Sequence, residues 1–256
     1  MGKNRRNLIC GVLFLAIVLG VIAWVRWDSR EPSYEGKPLS VWLEGYAPNG
    51  TQETRWAADE AVYSMGTNAI PILLRRLGEH DSPRMVKLMT LARFINVRYV
   101  HSSDHNVQGA SGLRAVGSKA VSTVPALMKM FERGDAFSKS LIANVFGSMG
   151  PSAKEAIPLL IRATHDGDKY VRMNAIFCLG QIHSKPELVV PTLIQSLNDP
   201  DAQARENAVT SLGRFGPDAK AAVPALLQMF EQIERRPRYI EESIKAIDPT
   251  RNAGIR

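Results

Sequence analysis

Three side chains that could hold a metal ion stand in one short stretch, "HSSDH": His101, Asp104 and His105. Imidazole nitrogen and carboxylate oxygen are ordinary zinc ligands, yet a structural site takes four of them and a catalytic site three plus water. No second cluster of ligand-type residues completes the set, and His80, His165 and His183 are scattered at expected turns. The stretch therefore reads as a solvated polar loop, with no metal expected. "GLRAVGSK" (Gly112–Lys119) imitates a phosphate-binding loop, but its Gly-Ser-Lys order differs from Gly-Lys-Ser/Thr and no strand precedes it. No nucleophile elbow, His-Glu-x-x-His or dinucleotide fingerprint occurs. The chain offers no catalytic residue and no cofactor site.

The elements that would position any site follow from a proline period. Pro125, Pro158, Pro191 and Pro224 recur every 33 residues, each after Val or Ile, and Pro71 follows Ile70 a further 54 residues upstream. Glycine closes the preceding amphipathic segment at Gly66, Gly117, Gly150 and Gly216, with His183 in that place in the fourth unit. Glycine after a helix supplies a positive φ. A proline in the first helical turn loses no hydrogen bond, because those N–H groups have no intrahelical acceptor. The residue before it is pushed toward extended geometry, which Val and Ile tolerate. Each Val/Ile-Pro therefore predicts the start of a second helix. Phe131, Phe146, Phe215 and Phe230 fall at core spacing. The fold predicted is all-α, a solenoid of about five helix pairs over residues 51–256. The long gap between Pro71 and Pro125 is read as a helix, "SPRMVKLMTLARFINV", and a polar loop insertion near 98–110.

Upstream of the array, "LICGVLFLAIVLGVIAWV" (Leu8–Val25) carries no charge and is long enough to span a bilayer. Lys3, Arg5 and Arg6 precede it, and Trp24 and Trp27 stand where an interfacial belt is expected. Residues 1–27 are expected to form an uncleaved anchor with the N-terminus cytoplasmic and the repeat domain on the outer side. Residues 28–50 read as a polar linker and a short capping helix, with Ser40 as its N-cap and Val41, Trp42 and Leu43 on its body. Of the net charge of +7, the first 27 residues supply four positive charges and no negative one. The remaining +3 is small for a nucleic-acid partner. Cys10 and Cys178 lie in unrelated apolar settings and predict no disulfide.

With these repeats the chain resembles the HEAT-repeat proteins. Asp166 with Arg172, and Asp199 with Arg205, carry the likeness, each acid ending one unit and each arginine lying six residues on. The resemblance implies a hydrogen-bonded ladder between units through these four residues, with the acids also capping helix N-termini. The third unit has Arg133 and Lys139 in those places, which implies a weaker rung there. "YEGKPLSVWLEGY" before the repeats and "IKAIDP" after them resemble bacterial membrane-anchored HEAT-repeat proteins. That likeness implies an architecture and no activity. Some HEAT-repeat enzymes bind iron through His-Glu pairs, and this chain has no such dipeptide.

The function expected is a non-catalytic scaffold, tethered to the membrane, that binds a protein or peptide on a concave face lined by second helices. The fourth residue after each punctuating proline should turn from the core, aligning Arg75, Lys129, Arg162, Gln195 and Gln228 in a column with Arg76 at its basic end. A nucleic-acid-binding solenoid and a lyase or hydroxylase on the same repeats are the alternatives.

Overall fold

The computed structural model describes residues 31–81, 101–232 and 237–251. The proposed anchor, residues 1–27, lies outside them, as does "PRMVKLMTLARFINV". Among the described residues no helix is long and apolar enough to cross a membrane.

The first described unit is a small cap. Strands β1 (Ser33–Tyr34) and β2 (Lys37–Pro38) pair antiparallel around Glu35 and Gly36, both at positive φ. Part of the expected linker is thus a hairpin, because two successive positive-φ residues make the tight turn that suits twisted strands. Helix α1 (Leu39–Leu43) follows and runs into a 3-10 turn, Glu44–Tyr46. Ser40 is not its N-cap. Pro38 occupies that position, and the free Ser40 amide donates to Glu31 Oε2 at 3.0 Å. Trp42 packs against Tyr34 and donates its indole N–H to the Tyr34 carbonyl at 3.1 Å. Leu39, Leu43 and Tyr46 are buried, closing the apolar edge of the array.

Six first helices form one layer: α2 (Gln52–Met65), α4 (Ser102–Val116), α6 (Ala136–Met149), α8 (Lys169–Ile182), α10 (Ala202–Phe215) and α12 (Arg238–Ile247). The second helices are α3 (Ile70–Leu77), α5 (Val124–Arg133), α7 (Ile157–Ala163), α9 (Pro186–Ser196) and α11 (Val223–Gln232). Each first helix packs on its neighbours in the layer and on the second helix of the preceding unit. One continuous apolar cluster runs through the stack and includes Phe131, Phe146, Phe215 and Phe230.

Close approach in the first-helix layer rests on small residues recurring with the period. A Cβ on Gly147 would stand 3.0 Å from Cys178 Sγ, and one on Gly213 would stand 2.7 Å from Ser243 Oγ. A Cβ on Gly180 would overlap Ser211. The small partners also carry hydrogen bonds: the Cys178 thiol donates to the Ala143 carbonyl at 2.7 Å and the Ser211 hydroxyl to the Ile176 carbonyl at 3.2 Å. Burial pushes the Cys178 thiol up to about 12, so it is an unreactive packing residue.

Four first helices end at the expected glycines, with φ between +52° and +61°. Their ψ lies near −135° rather than in the left-handed helical well, a region open essentially to glycine alone. His183 cannot enter it and sits instead in the left-handed helical region, φ 47° and ψ 51°. The chain leaves α8 in a different direction there, Lys185 again takes positive φ, and α9 opens early at Pro186. Pro191 consequently lies inside α9, where it does not mark the helix start. In the other units a 3-10 stretch leads into the second helix, and Ile70, Val124, Ile157 and Val223 before the prolines are helical, not extended. The preceding turns already carry the chain in near-helical geometry, and this overrides the local preference.

Candidate functional site

Helix α4 corrects the expected loop near 98–110. Residues 102–110 are its first two turns, and residues 98–100 lie outside the described residues. The polar residues that suggested a loop are in part buried: Asn106 and Gln108 are each 6% exposed. The acceptors around Asn106 orient its amide so that Nδ2 donates to the Arg76 and Glu79 carbonyls, each at 3.0 Å. Both carbonyls lie at the end of α3, where carbonyls run short of intrahelical donors, although that of Arg76 also accepts the Glu79 amide. His105 Nδ1 meets the Glu79 carboxylate, and His101 Nδ1 lies 3.5 Å from Asp81. Asp104 lies in the first turn of α4. His101, Asp104 and His105 are thus spread over separate contacts, and no group of three ligand-type residues converges among the described residues. Gly112–Lys119 is the end of α4 and the turn after it, with Lys119 Nζ 3.6 Å from the Tyr63 ring centre.

The ladder exists with pairings different from those expected. The Arg172 guanidinium grips Asp199, the acid 27 residues ahead, by two bonds of 2.8 and 3.1 Å. The same guanidinium donates backwards to the main-chain carbonyls of Asp166 at 3.0 Å and Gly167 at 3.2 Å. Arg205 repeats only the backward half, donating to the Asp199 and Pro200 carbonyls at 2.7 and 3.1 Å. Each arginine therefore reads the carbonyl six residues behind it, and Arg172 adds the carboxylate of the following unit. Lys139 fills the corresponding rung in the third unit, donating to Asp166 Oδ2 at 2.8 Å. That rung has one bond where Arg172 makes two. Arg133, in the acid position of that unit, is exposed.

Helix capping falls to other aspartates. Asp168 accepts from the Tyr170 and Val171 amides and Asp201 from the Gln203 and Ala204 amides, while Asp166 and Asp199 each accept the amide two residues on. Asp135 caps α6 through the Ser138 amide at 2.8 Å. The "DGD" and "DPD" spacing carried that signal. Burial alone would raise the Asp199 carboxyl, but Arg172 and the Asp201 amide outweigh it and hold it below the usual range. Lys139, then the Asp168 amide, lower Asp166 in the same way.

The residue two beyond each proline is fully buried: Leu73, Leu127, Leu160, Leu193 and Leu226. The third (Leu74, Met128, Ile161, Ile194, Leu227) is half-buried. The fourth (Arg75, Lys129, Arg162, Gln195, Gln228) is exposed in all five units. Arg162 approaches Glu132 at 3.5 Å, an exposed contact. Gln195 also lines a cleft of about 330 Å³ beside Asp166, Arg172 and Asp199, where the column meets the ladder. Arg76 does not extend the column. It is half-buried, its guanidinium donates to Gln108, and burial lowers its pKa.

A second surface feature gave no signal in the sequence. A cleft of about 620 Å³ opens between α2 and α4, lined by Arg55, Trp56 and Asp59 on one side and Arg114 on the other, with Tyr46 in its wall.

The HEAT repeats family matches residues 157–245, from α7 to the last helix. No curated protein matches the sequence. Among solved structures, a designed armadillo repeat protein in complex with the peptide (KR)4 is similar at a TM-score of 0.51 with 12% identity, covering 83% of this chain and 100% of its own. An engineered protein is similar at a TM-score of 0.48 with 14% identity, covering 82% of this chain and 96% of its own. Residues 157–245 are thus similar to HEAT repeats, and the sequence period, the stacked helix pairs and the inter-unit ladder agree with that match.

Proposed function

We propose that the chain is a membrane-tethered scaffold that holds a protein or peptide partner on the column of second-helix side chains and catalyses no reaction. The observation that carries this reading is the registration of the column. Five consecutive units present the same position to solvent, above a leucine that is fully buried two residues earlier. Stacked units repeat a contact at fixed intervals, which suits an extended segment better than a small substrate. The similar designed armadillo protein holds a peptide, which supports binding of that class. Arg75, Lys129 and Arg162 favour an acidic segment over the first three units, by charge complementarity. Tethering rests on the uncharged run Leu8–Val25 with its basic flank.

Co-purification with the full-length chain identifies the partner, and binding is then compared with that of the Arg75→Glu, Lys129→Glu, Arg162→Glu triple variant, checked for helicity. The reading expects a loss of roughly tenfold or more, as for charges opposing an acidic segment. Undiminished binding excludes the column. Separately, full-length protein should stay in membranes after carbonate washing with residues 28–256 open to protease from the outer side. A shortened, released form would end the tethering proposal.

A further inference from the structure

The first-helix layer is closed by glycine contacts between α6 and α8, α8 and α10, and α10 and α12. The equivalent position in α4, 33 residues before Gly147, is Arg114, so a guanidinium stands where the later helices have no side chain. Helix α4 packs closely on α3, where a Cβ on Gly109 would come within 2.6 Å of the Leu73 carbonyl and the Leu77 amide. Beside Arg114, between α2 and α4, lies the 620 Å³ cleft, a volume in the range of ligand sites.

Two helical stripes line it. Gln52, Arg55, Trp56 and Asp59 recur on α2 at spacings of three, one and three residues, which is one helix face, and Arg114 answers from α4. The opposite face of α2, with Ala58, Ala61, Val62 and Met65, is the buried one. Trp56 is 62% exposed, an uncommon place for a residue of its size unless something covers it. Arg55 and Arg114 are exposed, and neither makes an ion pair among the described residues. Asp59 is held in place by the hydroxyl of buried Tyr46, which donates to its Oδ1 at 2.6 Å.

We infer that this cleft is a second binding site, built by first helices and independent of the column, for an acidic peptide segment carrying an aromatic side chain. The two guanidiniums take side-chain carboxylates, by paired charge-assisted hydrogen bonds. The indole face takes the aromatic ring. Asp59, with one oxygen on Tyr46, and Gln52 accept main-chain N–H groups of the segment. A free inorganic anion would leave Trp56 and Asp59 without a role, and Asp59 would repel it. The mixed lining therefore selects a peptide.

The test uses the full-length chain in detergent and a fluorescent peptide of alternating glutamate and tyrosine, read by polarisation against salt. An alternating lysine and tyrosine peptide of equal length is the control. The inference expects the acidic peptide to bind, the basic one to bind at least about tenfold more weakly, and affinity to fall with salt. Arg55→Gln with Arg114→Gln should weaken the acidic peptide roughly tenfold or more, and Trp56→Ala should weaken it comparably, aromatic and Arg anchors being the usual hot spots. These side chains are exposed, and circular dichroism confirms that the variants fold. The triple column variant of the preceding section should bind this peptide undiminished. Loss in the column variant with retention in the arginine pair overturns the inference, as does equal binding of the two peptides or no binding of the acidic one.

Discussion

Removing the Asp199 carboxylate should be among the most damaging single changes on this molecule's polar surface. Its side chain is only 6% exposed and that of Arg172 13%, so the pair is largely out of water. Asp199→Ala deletes both bonds from Arg172 and the acceptor for the Asp201 amide, leaving that N–H without its partner. Breaking a buried pair from one side costs about 3–5 kcal/mol, and each charged hydrogen bond contributes about 1.5–3 kcal/mol. Arg172 keeps the Asp166 and Gly167 carbonyls, so its charge is not stranded and the cost should sit near the lower end. We expect about 3 kcal/mol from either Asp199→Ala or Arg172→Ala, with the double variant short of the sum by about 2 kcal/mol because the pair shares one interaction. Arg205→Ala is the control. It loses bonds to main-chain carbonyls that Asp199→Ala retains, so these two changes should add within about 0.5 kcal/mol. Urea unfolding followed by helical circular dichroism, fitted with nearest-neighbour coupling between units, measures all five species. Coupling below about 0.5 kcal/mol between Asp199 and Arg172, or strong coupling between Asp199 and Arg205, would refute the pairing.

Acid should act on the same rungs. Asp135, Asp166 and Asp199 are all held below their ordinary values, so their contribution is complete above the unfolded value of about 4 and is lost as pH falls through the folded ones. Urea midpoints should therefore drop below about pH 4, and less steeply in Asp166→Asn with Asp199→Asn. Gly180→Ala should cost about 1–3 kcal/mol, because the new methyl would overlap Ser211 in the next helix; calorimetry on Gly180→Ala with Ser211→Gly, expected to recover part of the loss, checks the cause. Pro191→Ala should stabilise by about 1–3 kcal/mol, since it restores a donor inside α9, whereas Pro158→Ala at the start of α7 should stay within about 0.5 kcal/mol.

What could be read from the sequence was whatever the period repeats. Gly66, Gly150 and Gly216 end helices where expected, and the leucines two past the prolines are in the core. Local propensity misled where tertiary contacts decide. "SSDHNVQG" reads as a loop by composition, yet Asn106 is buried as a hydrogen-bonding plug for the end of α3. The ladder residues were identifiable, but a six-residue spacing hid which group of each aspartate is used. The arginine reaches the near one's carbonyl and the far one's carboxylate. The cleft at Trp56 was not legible because its lining comes from two helices far apart in the chain, α2 and α4, which meet only in the packed layer.

The ladder and the glycine contacts share one property, which is that both repeat with the period and neither reaches past the adjacent unit. Suppose residues 167–199 were excised, joining Asp166 to Pro200. Lys139 would still find Asp166, and Arg205 would find its carbonyls at Asp166 and Pro200. Gly147 would face Ser211 in place of Cys178, and the Ser211 hydroxyl would face the Ala143 carbonyl in place of that of Ile176. Every severed interface would be replaced by one of the same kind. Chain length in this molecule can therefore change by whole units, through duplication or loss of about 100 nucleotides of coding sequence, without a new interface having to evolve. The cap at one end and the cleft at Trp56 would be untouched by such events.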